Sequence, residues 1–178
     1  RILVVEIPPL HSASLRFLLA SVILLPIIQW KRLPWPTGRG LRASMFLSLS
    51  MIAVPSALTF WSEQRLSSGL TALIFGAMPL MTAVLTPWMA GRSVPRMAWQ
   101  AMIVGLGGLG LVMSGAISTS LWQAVGAMAV LLAVFLYAVS SVYAKEALTG
   151  VHPFVSTSIQ FFLGGIALAL ASLVFERG

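Results

Sequence analysis

Six runs of roughly twenty apolar residues, 10–30, 41–62, 68–90, 97–115, 122–144 and 153–175, take up nearly all of this chain. About 20 residues of α-helix cross the hydrocarbon core of a bilayer, so each run is long enough to span it. Inside lipid the backbone must satisfy its own hydrogen bonds, which leaves only helices and closed barrels. Barrel strands read as segments of about ten residues with alternating polarity. These runs are twice that length and apolar on every side. The sequence therefore predicts an all-α integral membrane protein, a multi-helix transmembrane bundle. Charged residues make up only 8% of the 178, against about 25% in soluble domains. That is too little charge to coat a water-facing surface, and it excludes an ordinary soluble enzyme and a disordered tail.

The charges lie in the connections. Lys and Arg number 11, Asp and Glu 4, for a net charge of +7. On a soluble domain such a balance would point to nucleic acid. Here the basic residues sit between spans, where they report topology, and no nucleic-acid partner is expected. Alternate connections share a side. One side carries Lys31, Arg32, Arg39, Arg42, Arg92, Arg96 and Lys145 against Glu146. The other carries Arg1, Arg65 and Arg177 with Glu6, Glu63 and Glu176. The first side is expected in the cytoplasm of an inner or plasma membrane. Both chain ends then fall on the outer side, which suggests a piece of a longer protein. The absence of an initiator Met agrees, and the apolar run at the start is too short for a signal peptide. There is no Cys, and His11 and His152 lack metal spacing, so no metal or cofactor is expected. Six tryptophans, mostly near run ends, read as an interfacial belt, with Trp61 alone a candidate for a cavity mouth.

A repeat accounts for the odd topology. Pro9–Leu19 (PLHSASLRFLL) aligns without gaps on Pro153–Leu163 (PFVSTSIQFFL) at an offset of 144. Five of eleven positions are identical: Pro9/Pro153, Ser12/Ser156, Ser14/Ser158, Phe17/Phe161 and Leu19/Leu163. Five helices separate equivalent points, and an odd unit re-enters the membrane upside down, as in many secondary transporters. The expectation is two inverted five-helix repeats, truncated here to about six complete helices. Residues 1–115 would be most of the first repeat and 122–178 the start of the second.

These residues resemble a known family. Pro9–Leu19 with Leu15-Arg16-Phe17, the stretch Gly69–Leu80 with its small residues and Pro79, the Gly-rich Val104–Gly110, and Leu136-Tyr137-Ala138 followed by Lys145 are similar, in that order, to EamA-type members of the drug/metabolite transporter superfamily. The resemblance covers nearly the whole chain. It implies a ten-helix, two-repeat carrier of small metabolites, often an exporter. The family's common Gly-Glu after the fourth helix is Gly91-Arg92 here.

Seven residues are candidates for binding substrate: Arg16, Phe60, Phe75, Pro79, Tyr137, Ser141 and Gln160. Arg16 lies about 10 Å along its helix from Pro9, and an ionisable group at depth is a functional candidate. It could equally snorkel to the interface. Its repeat partner is Gln160, and Ser12/Arg16/Ala20 and Ser156/Gln160/Gly164 form matching stripes at helical spacing. Both stripes are expected to face a shared cavity, where Arg16 and Gln160 would orient a polar group such as an amino-acid carboxylate. Pro79 interrupts its helix near the middle, with Thr71, Phe75, Thr82 and Thr86 on the same face. Broken helices flank substrate sites in transporters, although neighbouring helices also tolerate packing kinks. Pro55 carries the same two readings. Phe60, Phe75 and Tyr137 would supply aromatic surface. Ser140 is read as packing, with Tyr137 and Ser141 as possible ligand contacts.

Gly105-Leu-Gly107-Gly-Leu-Gly110 fits GxGxxG, but it lacks the strand before it and the acid after it that a dinucleotide site needs. Within a helix it reads as a packing surface. No carboxylate lies at mid-span, so no proton relay is encoded here. An intramembrane hydrolase would need a base beside its nucleophile, and both His sit at helix entrances. The reading is a permease moving amino acids or related amphipathic compounds by alternating access. The alternative is a non-transporting scaffold or accessory subunit. The partners are a small-molecule substrate and the lipid bilayer. The sequence leaves the oligomeric state open.

Overall fold

The computed structural model describes residues 8–113 and 121–176, with the side chains at 109, 110, 112 and 113 also outside the description. Arg1, Glu6, Arg177 and the expected break at Gly115–Ser120 fall outside it. The described elements are α1 (Pro9–Trp30), α2 (Gly38–Leu47), a π-helical turn (Ser48–Ala53), α3 (Val54–Glu63), α4 (Ser68–Phe75), α5 (Met78–Ala90), α6 (Arg96–Met113), α7 (Leu121–Ala147) and α8 (Pro153–Phe175). No strand occurs among them. Five helical stretches are long and apolar enough to cross a membrane: Pro9–Trp30, Gly38–Glu63, Ser68–Ala90, Leu121–Ala147 and Pro153–Phe175. The sixth expected run is α6, and its residues 114 and 115 fall outside the description.

Local chemistry sets the helix ends. Pro9 and Pro153 open α1 and α8, where a missing N–H costs no hydrogen bond. His152 caps α8, its Nδ1 accepting from Phe154 N–H at 3.3 Å. His152 is thus occupied as a helix cap. Ser67 Oγ caps α4 by accepting from Leu70 N–H at 3.3 Å. Gly91, at φ +63°, closes α5 in the left-handed region, which Gly enters without steric cost.

Two interruptions place structure where uniform helices would run. Gly76 and Ala77 separate α4 from α5, and Pro79 stands in the first turn of α5. The disturbance expected at Pro79 falls in the turn before it, where Gly76 and Ala77 keep right-handed helical angles but Ala77 N–H bonds to Ile74 O at 3.0 Å in a tighter turn. Upstream of Pro55 the helix widens into the π turn, where Val54 N–H reaches back to Leu49 O. Such turns are rare and recur at functional or tightly packed points.

Contacts divide the chain into two compact units: Arg1–Ala57 with Ala144–Gly178, and Leu58–Tyr143. In the first, α8 packs against α1 on one side and against α2 and the π turn on another. Helices α1 and α8 are antiparallel. The Glu176 carboxylate accepts from Leu10 N–H (2.7 Å) and His11 N–H (3.2 Å) at one end. Ile28 clusters with Val155 and Ile159 at the other. Midway, Ser21 Oγ donates to Ser158 O at 3.0 Å, and the Phe17 and Phe161 rings lie 5.3 Å apart. Small residues permit this approach. A Cβ at Gly165 would come within 3.2 Å of Ser14 O, and one at Gly164 within 2.7 Å of Ile52 Cγ2 and 3.0 Å of Ser48 O. In the second unit, Leu66, Val130 and Val134 form a buried core covered by Leu70, Ile74, Phe75, Met78 and Met81. Helix α6 packs against α4 and α5. A Cβ at Gly105, Gly107 or Gly108 would meet nothing within 4 Å, so these glycines lie on an open face of α6 among the described residues.

Candidate functional site

Five of the seven candidate residues belong to the second unit. Phe75, at the C-terminal end of α4, packs on the Leu66–Val130–Val134 core and is half-buried. Pro79 is exposed in the first turn of α5. Phe60 on α3 and Tyr137 and Ser141 on α7 are half-buried. Ser141 Oγ donates to Ala138 O at 2.9 Å, within its own helix. Thr82 and Thr86 likewise bond back, to Met78 O and Thr82 O. Such bonds satisfy a hydroxyl locally in an apolar setting.

Thr71 behaves differently. It is 3% exposed, and its Oγ1 has no hydrogen-bond partner among the described residues. Gln123 Oε1, in the first turn of α7, is also buried without a partner among the described residues. Buried polar atoms are nearly always satisfied, so these two stand out among the described residues. Thr71 was legible as a neighbour of Pro79 on one helix face. Gln123 gave no signal, since a lone Gln beside a Trp at a run end looks like an interfacial residue.

At the turn between α3 and α4, the Arg65 guanidinium stacks on Trp61, 3.7 Å from the ring centroid, and lies 5.9 Å from that of Trp122. It also donates to Trp61 O at 2.9 Å. Trp61 is thus engaged by a cation at a helix end.

Arg16 and Gln160 belong to the first unit. Arg16 is exposed on α1, between Leu15 (50% exposed) and Leu19 (53%). Gln160 is buried at 7% on α8. Ser156 and Gly164, on the same stripe, are buried as well. A cleft of about 440 Å³ lies elsewhere in this unit, lined by Trp35, Thr37, Arg39, Glu146 and Thr149 among others, and holds none of the seven candidates. The described residues contain no group of three or more metal-ligating side chains.

Residues 1–114 match the EamA-like transporter family. The chain belongs to that family. It is 28% identical over 169 residues to the inner membrane transporter YedA of Escherichia coli K12, covering 94% of this chain and 54% of YedA. It is 27% identical over 183 residues to the protein PagO of Salmonella typhimurium, covering 99% and 59%. A WAT1-related chloroplastic protein of Arabidopsis thaliana is 27% identical over 176 residues, covering 93% and 41%. This EamA-family chain therefore spans little more than half the length of its bacterial relatives. A crystal structure with 16% sequence identity superposes with a TM-score of 0.78, over 96% of this chain and 60% of that one. That likeness concerns the fold alone.

Proposed function

We propose that the full protein is a multi-pass inner-membrane permease that moves small amphipathic metabolites, amino acids among them, outward by alternating access of two inverted halves. Family membership supports the carrier reading. The observation that carries the site is the break at Gly76–Ala77 between two short apolar helices, with the partnerless Thr71 hydroxyl in the half-helix before it. Discontinuous helices near a polar group are the means by which transporters present backbone and side-chain donors to a substrate. Phe60, Phe75 and Tyr137 supply aromatic surface to an amphipathic substrate, and Thr71, Gln123 and Ser141 supply polar contacts. No catalytic role is assigned to any residue.

The test is export or counterflow of labelled amino acids by the purified full-length protein in liposomes. Thr71→Val, Gln123→Leu and Tyr137→Phe are expected to lower transport by several-fold at unchanged protein levels. Unchanged kinetics in all three would overturn the site assignment. A substrate-induced rise in thermal stability separates a carrier from a scaffold.

A further inference from the structure

The contacts between α1 and α8 obey an internal exchange. Adding 144 to an α1 residue and subtracting 144 from an α8 residue converts one contact into another. Phe17 and Phe161 are each other's equivalents, and their rings touch at 5.3 Å. Ser21 against Ser158 (3.0 Å) converts to Gly165 against Ser14, where an added Cβ would stand 3.2 Å from Ser14 O. Leu10 against Glu176 would convert to Phe154 against Arg32, one residue off the contact that Phe154 makes. Next to Arg32, Lys31 Nζ lies 5.7 Å over the Phe154 ring. Two antiparallel helices whose equivalent residues meet themselves lie on a local two-fold axis, and that axis passes between Phe17 and Phe161.

One pair of faces breaks the exchange. On α8 the stripe Ser156 (4% exposed), Gln160 (7%) and Gly164 is buried, and Gly164 lies against Ile52 and Ser48 O of the π turn. On α1 the equivalent Ser12 and Ala20 are only half-buried and Arg16 is exposed. Arg16 then stands on an apolar helix flanked by Leu15, Leu19 and Ile23, the last 67% exposed. A guanidinium at that depth is costly against lipid.

We infer that in the full-length protein the Ser12–Arg16–Ala20 face of α1 is covered by the second-repeat copy of the Gly38–Glu63 helix. The inference rests on the inverted-repeat part of the proposed function. Ala20 then occupies the place of Gly164, and because its methyl takes up the space that Gly164 leaves to Ile52, the copy carries a side chain smaller than isoleucine at the place of Ile52. A widened turn in the copy leaves backbone carbonyls oriented away from the regular ladder, and these accept from Arg16. The partner is an apolar helix of the same chain, and Arg16 works in a helix interface rather than in the permeation route. The relatives are long enough to hold such a helix, since this chain covers 54% of YedA and 59% of PagO.

The experiment places single nitroxide labels at Ala20→Cys and Ser12→Cys in the full-length protein in liposomes, with any cysteine outside these residues replaced by Ser. Leu170→Cys, at a residue 60% exposed on α8, is the lipid-facing reference. Labels at 12 and 20 are expected to be immobilised, with collision rates several-fold below the reference for oxygen and equally low for a water-soluble nickel chelate. High nickel-chelate accessibility would place the face on an aqueous cavity and overturn the inference, leaving the carrier reading intact. High oxygen accessibility would place it against lipid and overturn both the inference and the inverted repeat. Transport by the unlabelled protein decides the carrier reading separately.

Discussion

Glu176 holds the first turn of a helix 165 residues away: its Oε1 accepts from Leu10 N–H at 2.7 Å and its Oε2 from His11 N–H at 3.2 Å. Ser172 Oγ steadies the same carboxylate by donating to Oε2 at 2.6 Å. Pro8, at the N-cap of α1, makes no side-chain cap bond, so the far end of α8 supplies the acceptor that local sequence lacks. A carboxylate there also meets the positive end of the helix dipole.

Removing that charge tests the latch. Glu176→Gln is expected to destabilise the protein by about 1 kcal/mol, and Glu176→Ala by somewhat more. Unfolding in mixed micelles measures both. Ser172→Ala should have a smaller effect, because it removes a support of the cap rather than the cap itself.

Gly164 tests the contact between α8 and the π turn. Gly164→Ala puts a methyl 2.7 Å from Ile52 Cγ2 and 3.0 Å from Ser48 O. Overpacking of this kind costs about 1–3 kcal/mol. Ile52→Ala in the same protein is expected to restore only part of the loss, since the Ser48 carbonyl is backbone and stays in place. A double-mutant cycle reads the coupling directly.

The serine pair at the α1–α8 crossing should matter less. Ser21→Ala or Ser158→Ala removes a buried hydrogen bond worth about 0.6 kcal/mol within a membrane bundle. The double variant is expected to cost close to the sum of the two, because each hydroxyl donates to the other residue's backbone carbonyl, at 3.0 Å and 3.4 Å, and the other substitution leaves that carbonyl in place. Chemical denaturation of the three variants shows whether the losses add.

Orientation has its own measurement. Thr37 and Ser67 are exposed in successive connections. A cysteine at position 67 is expected to react with a membrane-impermeant maleimide in intact cells, and one at position 37 only after permeabilisation. The reverse pattern would contradict the charge-based topology.

The helical architecture was legible because lipid removes most alternatives. Run length alone located the long helices, and Pro9, Pro153 and Gly91 marked ends within a residue or two. The interruptions were less legible. Pro79 signalled a disturbance in 68–90 but not its place, Gly76–Ala77, in the turn whose regular bonding the missing proline N–H removes. The π turn left no local mark beyond Pro55, since its fit to Gly164 joins residues more than a hundred positions apart. The Glu176 latch is equally non-local. Among the site candidates, spacing made Arg16 and Gln160 look equivalent, but one is exposed and the other buried. Periodicity reports which residues share a face and not what lies against it.

The turn at Ser48–Ala53 takes in one residue more than an α turn would, which alters angular phase rather than length. Side chains beyond Ala53 point about 100° away from where an uninterrupted helix would aim them. A single-residue deletion inside 48–53 would therefore act as a twist, swinging everything downstream about the helix axis while leaving the span across the bilayer almost unchanged.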